Sequence, residues 1–415
     1  MIRQFLWNEP NHNKTSLWHI PITYATSTED FNNTKKQFIL SSDTKQINLG
    51  IEVDWIIFNV QQTGYYRVNY DTKIWKNIDR ILNDSPNDIH VLNRAQIVDD
   101  ALNLAQSELL SYTQALHTVQ YLKNETDYVP WYAALANFKF ILNRFKSDER
   151  PLFEEYILSL IGNVYSYLGF TAKENETRLD TYNRGLILSY ACQLGHKKCI
   201  SDANHVFEKQ SQEEDLIPVN LKPVVYCTVI NRGGNDTWQI LWNKFQKENV
   251  ATEQAVILNA LGCTQNNDLV LNYINEILGD KIRLQDKHAA LVSLLSQPQN
   301  IDFVLDYILK NYKQITKVFE SENEVPRVLS LLASHFTSNN QIDRVKKFVE
   351  KNESALGPVD TLQISLKNAN YNLKWAEKNI PVIKNYLKSA QIVSSAYATM
   401  VSIALSFWMP ILVYL

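Results

Sequence analysis

Eight histidines, His12, His19, His90, His117, His196, His205, His288 and His335, are the first candidates for metal or acid–base chemistry. Two histidines one helical turn apart, with a glutamate after the first, would hold a hydrolytic metal and supply its general base. No two of these histidines stand four residues apart and none precedes a glutamate, so such a helix cannot be built from them. The four cysteines, Cys192, Cys199, Cys227 and Cys263, contain no Cys-x-x-Cys spacing, which argues against a zinc–thiolate site. They allow three disulfide pairings, or four buried thiols, and spacing alone does not choose. Arg94, Asp99 and Asp100 fall on one predicted helix. Paired carboxylates can do acid–base work. Neighbours on a helix point about 100° apart, however, and a cap or buried ion pair is the plainer reading. His196, followed by Lys197 and Lys198 and preceded by Gly195, reads as a solvated turn between two helices.

The elements that must position these residues are mostly helical. The chain has 415 residues, room for two or more domains and a large core. A formal net charge of −3 and no long run of like charge argue against a dedicated nucleic-acid binder. Only 11 glycines and 12 prolines interrupt the chain, so long helix-period windows survive. Leu92, Ala95, Val98, Leu102 and Ala105 form an apolar stripe on a helix beginning near Asp88. Pro130 opens the next, in which Trp131, Tyr132, Phe138, Phe140 and Phe145 read as core. Pro151 opens another, and the pattern continues to about 388. Successive antiparallel helices with short joints make an α-superhelix of HEAT- or armadillo-like pairs, without a fixed-period consensus.

Residues 1–72 differ. Trp18–Tyr24, Phe38–Leu40 and Ile47–Val53 read as short strands between Asn, Asp, Ser and Thr turns, which suits a small β-sandwich. Trp55–Asp71 reads as two further strands turning at Gly64. In the second, Tyr65, Arg67 and Asn69 share one face and Tyr66, Val68 and Tyr70 the other. The expected architecture is therefore mainly α, with a β-sandwich over 1–72 and a superhelix over 73–388.

The ends read differently from each other. Met1 to Trp7 contains no apolar signal-peptide core. Ala396 to Leu415 is about twenty residues without a charge, long enough for a membrane span. No Lys or Arg follows it, and Ser389, Ala390, Ser394, Ser395 and Ala396 precede or open it. Small residues, a short spacer and an apolar tail are the pattern of a GPI-attachment signal over 389–415, with Ser389 and Ser394 as lipid-attachment candidates. A buried C-terminal helix is the alternative, which Pro410 disfavours. A secretory tail without a secretory leader is expected of the C-terminal piece of a longer precursor. Asn-x-Ser/Thr triplets at Asn13, Asn32, Asn124, Asn175, Asn235 and Asn352 agree with an extracellular chain.

The string Trp-Ile-Ile-Phe-Asn-Val-Gln-Gln-Thr-Gly-Tyr-Tyr-Arg-Val-Asn-Tyr-Asp at 55–71 resembles the β-sandwich segment of the zinc aminopeptidases of the aminopeptidase N type. The run from Leu92 to Ala101, Tyr128–Trp131, Gly233–Gly234 with Trp238 and Trp242, Asn259–Thr264 and Arg283 with Gln285–Asp286 resemble the same family. The likeness extends over nearly the whole chain and is nearest to the GPI-anchored aminopeptidases N of insect gut. It implies a protein that removes N-terminal residues from peptides with zinc, held on the extracellular face of the plasma membrane by a lipid anchor. It implies disulfides Cys192–Cys199 and Cys227–Cys263. It places Arg283 as a candidate contact in the substrate chamber, against the plainer reading of a solvated or salt-bridged arginine. The family's His-Glu-x-x-His and Gly-x-Met-x-Asn motifs are absent, so no catalytic or zinc-binding residue is assigned here, and zinc belongs to the full-length enzyme. The expected partner is the missing catalytic domain. A second reading is a non-catalytic cell-surface superhelix that binds peptides or proteins, such as bacterial toxins. A third, a cytosolic helical scaffold, requires free thiols and no glycans.

Overall fold

The structure, a computed structural model, describes residues 19–408 apart from 29, 42–44, 47, 51 and 211–216, without the side chains of 210 and 390–408. Its strands are short. β1 (Ile20–Ile22) pairs antiparallel with β3 (Phe38–Leu40), and β2 (Tyr24–Thr26) with β4 (Ile56–Phe58). Each sheet has two strands, so Pro21 in β1 interrupts no central ladder. Ile22, Ala25 and Ile57 turn inward onto the helical part with Trp55 and Phe31, whose rings stack at 5.9 Å.

Two expectations for this region are corrected. Tyr65–Tyr70 is not a strand, and the described residues of Ile47–Val53 form none. The predicted alternation nevertheless survives in extended backbone: Tyr65, Arg67 and Asn69 are exposed, whereas Val68 is buried and Tyr66 and Tyr70 partly so. What replaces the partner strand is a helix and the turn that follows it. The Val68 N–H donates to Asp100 Oδ2 at 2.9 Å, and Asn69 Nδ2 to the Leu109 carbonyl at 2.9 Å.

The helices begin at α1 (Thr72–Asp84), where Asp71 accepts from the Ile74 N–H as N-cap. Next come α2 (Val91–Gln106), α3 (Tyr112–Thr118), α4 (Tyr128–Leu142), α5 (Arg150–Leu168) and α6 (Arg178–Gln193). The middle holds α7 (Lys197–Gln210), α8 (Lys222–Arg232), α9 (Asn235–Lys247), α10 (Ala251–Leu261) and α11 (Asn267–Leu278). The rest are α12 (Leu284–Ser293), α13 (Ile301–Phe319), α14 (Glu324–Ala333), α15 (Asn339–Asn352) and α16 (Asp360–Trp408). Local chemistry sets many of these boundaries. Thr177 with Asp180 and Ser338 with Gln341 form capping boxes at α6 and α15. Gly169, at φ 70°, ends α5 in a conformation that a side chain would resist.

Helices pack mainly on near neighbours in sequence: α2 on α4, α5 on α6, α7 on α8 and α8 on α10. One exception shapes the molecule. α16 packs on α14 and α15 and also returns to α3 and α5. Gln120 donates to the Tyr386 hydroxyl at 2.8 Å, and Lys378 and Lys384 pair with Glu108 and Glu149. The end of the superhelix is thus fastened to its beginning. The helix expected to finish near 388 continues as backbone to Trp408, with Pro381 inside it. Among the described residues no helix is long and apolar enough to cross a membrane. Residues 409–415 and the side chains of 390–408 lie outside the described residues, and with them most of the predicted lipid-attachment tail.

Candidate functional site

The residues that sequence reasoning grouped on one helix serve two separate networks. Arg94 is 4% exposed. Its Nε donates to Glu125 Oε2 at 2.7 Å, its Nη2 to Asp127 Oδ2 at 2.6 Å and its Nη1 to the Ile89 carbonyl at 2.8 Å. Asp99 and Asp100 turn away and both receive Arg67 Nη1, Asp100 at 3.0 Å. Asp100 also accepts from Gln96 Nε2 at 3.2 Å. Every one of these carboxylates is held by donors, which is the arrangement of structural ion pairs and not of a free general base.

The Arg67–Asp100 network fixes the junction between sheets and helices. Beside it, Asn59, Gln61 and Gln62 have φ of 64°, 51° and 54°, a run of left-handed residues without glycine. Buried amides enforce it. Asn59 Nδ2 donates to the Gly64 carbonyl at 2.8 Å, and its Oδ1 accepts from the Gly64 N–H at 2.7 Å. Asn93 of α2 donates to the Asn59 carbonyl and accepts from the Gln61 N–H. The loop so locked presents Tyr65 fully exposed at its tip. The sequence signal for this loop was the motif around Gly64, but its left-handed backbone depends on Asn93, distant in the chain.

Asp100 and His335 give the fold opposing pH responses. Burial lifts the Asp100 carboxyl to about 6, although the Val68 N–H and Arg67 pull it down. The folded chain then holds a proton that the unfolded chain releases near 4, so this contribution to stability is lost as pH rises through about 6. Burial, aided by Lys139, Arg144 and Arg150, lowers His335 to about 4. Its contribution is full above roughly 6.5 and is lost as pH falls toward 4. Asp100→Asn is expected to remove the first slope and His335→Gln the second, read from thermal melts between about pH 4 and 7.5.

The remaining predicted residues are dispersed. Arg283 precedes α12 and its Nε donates to Asp286 Oδ2 at 2.7 Å, half exposed, so it is a salt-bridged surface arginine. His196 precedes α7 and its Nδ1 accepts from the Cys199 N–H at 3.3 Å, with its ring 4.4 Å from that of Tyr165. It is less solvated than the turn reading expected, and burial lowers its pKa. It lines a recess of about 810 Å³ with Lys198, Asp202 and His205. Tyr165 and Lys198 both bond Asp202 there, so that carboxylate is not a free base. Tyr132, read as core, is 56% exposed, because its neighbour Trp131 takes the inward face.

The structure joins Cys192 to Cys199 and Cys227 to Cys263. Asn32, Asn124, Asn175 and Asn235 are exposed. Asn352 is half-buried, donating to the Phe348 carbonyl and accepting from the Tyr312 hydroxyl at 2.8 Å, bonds that a glycan would break. Asn13 lies outside the described residues; Ser389 is exposed in α16, and the side chain of Ser394 is not described. Among the described residues no three His, Cys, Asp or Glu side chains come together as a metal site, and the residues present do not fit a catalytic zinc.

Comparison with known proteins places these features in a family. The model of the ERAP1-like C-terminal domain matches residues 55–371. Aminopeptidase N of Plutella xylostella is 31% identical over 399 residues, covering 93% of this chain and 42% of that protein. Membrane alanyl aminopeptidase of Manduca sexta is 35% identical over 306 residues, covering 72% and 31%. Aminopeptidase N of Bos taurus is 28% identical over 347 residues, covering 81% and 36%. The chain therefore spans well under half the length of these relatives. It belongs to the ERAP1-like C-terminal domain family and corresponds to the C-terminal part of an aminopeptidase N.

Proposed function

We propose that this chain is the enclosing and supporting part of a zinc aminopeptidase that removes N-terminal residues from peptides. The zinc domain lies outside the chain in this reading. The β-sandwich of 1–72 carries that domain, the superhelix of 73–388 walls the substrate chamber, and 389–415 provides membrane attachment through Ser389 or Ser394. The observation that supports it is the match of 93% of the chain to an aminopeptidase N of which it takes only 42%. The names of the relatives support placement at the cell surface, as membrane aminopeptidases. Exposed Asn32, Asn124, Asn175 and Asn235 are the glycan acceptors that agree with it.

The described residues form no zinc site, so no step of hydrolysis is assigned to them. The 415-residue chain supplied with zinc is expected to release nothing from an alanyl-anilide substrate. The same chain joined to the zinc domain of a relative is expected to cleave it. Zinc-dependent turnover by the chain alone would overturn the reading.

A further inference from the structure

The recess between the end of α5 and the start of α7 holds about 810 Å³. Small-molecule sites run from about 300 to 1,000 Å³. Phe170 and Val206 give it an apolar side. Lys198 and Asp202 bring opposite charges to the same space, with Lys198 Nζ 3.0 Å from Asp202 Oδ2. That pair lies one turn apart on α7 and its lysine is 70% exposed, so solvent screens it and a ligand can part it. Asp202 does not depend on it. The Tyr165 hydroxyl donates to Asp202 Oδ2 at 3.1 Å and holds the carboxylate in place.

The cationic side has further support. His196 Nδ1 accepts from the Cys199 N–H, so the neutral ring carries its proton on Nε2 and has a donor to offer there. Burial favours that neutral form. Lys197 and Lys198 stand in the first turn of α7, which contains no acid. This end of a helix disfavours cations and favours a carboxylate. A simple anion entering the recess would meet Asp202. A simple cation would meet Lys198 and the positive end of α7. A ligand that carries both charges on one short frame satisfies both sides.

We propose that this recess binds a free α-amino acid with an apolar side chain. Its carboxylate takes the place of Asp202 on Lys198 and accepts from His196 Nε2. Its ammonium donates to Asp202, and its side chain packs on Phe170 and Val206. Amino acids are what the activity proposed above would release, so the source of the ligand rests on that reading, whereas the binding rests on the recess.

The test is a calorimetric titration of the 415-residue chain at neutral pH with L-leucine and with two derivatives that each lack one charge, N-acetyl-L-leucine and L-leucinamide. Saturable binding of leucine is expected with a Kd on the order of 1 mM, the scale for a ligand of so few atoms. Each derivative is expected to bind roughly tenfold more weakly, since each loses a charge-assisted hydrogen bond. L-Alanine, with less to lay on Phe170 and Val206, is expected to bind more weakly than leucine. Lys198→Gln alters an exposed side chain and is expected to weaken leucine by a similar factor while leaving leucinamide unaffected. Asp202→Asn keeps an acceptor for Tyr165 and is expected to weaken leucine while leaving N-acetyl-leucine unaffected. Equal binding of leucine and either derivative, a leucine response that neither substitution alters, or no saturable response at about ten times that concentration would overturn the proposal. Failure of the chain joined to a zinc domain to cleave its substrate would count against the aminopeptidase reading and leave these titrations as they stand, so the two failures are distinct.

Discussion

Replacing Arg94 with methionine is expected to destabilise the chain by about 3–5 kcal/mol, the cost of breaking a buried ion pair from one side. The size follows from what is left behind. Glu125 is 4% exposed and would keep its charge without the guanidinium that neutralises it. The carbonyl of Ile89 would lose a donor in the same stroke. Arg94 also links three consecutive pieces of structure, since Glu125 and Asp127 lie in the turn between α3 and α4. Arg94→Lys is expected to recover little, because an ammonium cannot reach both carboxylates and the carbonyl with a planar fork. Adding Glu125→Gln to Arg94→Met is expected to recover part of the loss, because the stranded charge is gone. Urea unfolding of the four proteins reads these differences directly. A loss under about 1 kcal/mol for Arg94→Met would show the network to be solvated and the account of it wrong.

The second large effect concerns the disulfides, where the two bridges are expected to differ. Cys227–Cys263 closes a loop with a separation of 36 residues, and Cys192–Cys199 one of 7. Cross-links restrict the unfolded chain more as the loop lengthens, giving about 4 kcal/mol for the first and about 2 kcal/mol for the second. The double substitution Cys227→Ala with Cys263→Ala is therefore expected to lower the melting midpoint about 1.6 times as far as Cys192→Ala with Cys199→Ala. The shorter bridge ties the end of α6 to α7 across Gly195, which stands at φ 96° and already commits that turn. Calorimetry of the two double variants checks the order. Equal losses would mean that native-state packing, and not loop closure, governs both.

The helical superhelix was legible because its information is local. Stripes such as Leu92, Ala95, Val98, Leu102 and Ala105 need only the 3.6-residue period, and all but the partly buried Leu92 are fully buried. Breakers such as Pro151 and Gly169 mark the ends of α5. The strand predicted at 65–70 failed for the opposite reason. Alternation specifies which side chains turn inward, but a strand needs a partner, and here the Val68 N–H goes to the Asp100 carboxylate instead of to a ladder carbonyl. The pairing of Arg67 with Asp99 and Asp100 joins residues more than thirty apart, and no spacing rule reaches that far. The return of α16 to α3 and α5 joins partners more than two hundred residues apart. That closure and the neutral His335 arise from packing between distant elements, and left no mark in the sequence. The cysteine pairing was a different case again: spacing left three options, and family likeness chose among them.

The measurement that bears most directly on the central claim is long-read sequencing of the native transcript across the codon for Met1. The account predicts that the reading frame continues upstream and encodes a helix with His-Glu-x-x-His, the zinc-binding partner of the domain described here. An in-frame stop immediately ahead of Met1 in the mature transcript would contradict it, and would leave the superhelix to be understood as a binding surface in its own right.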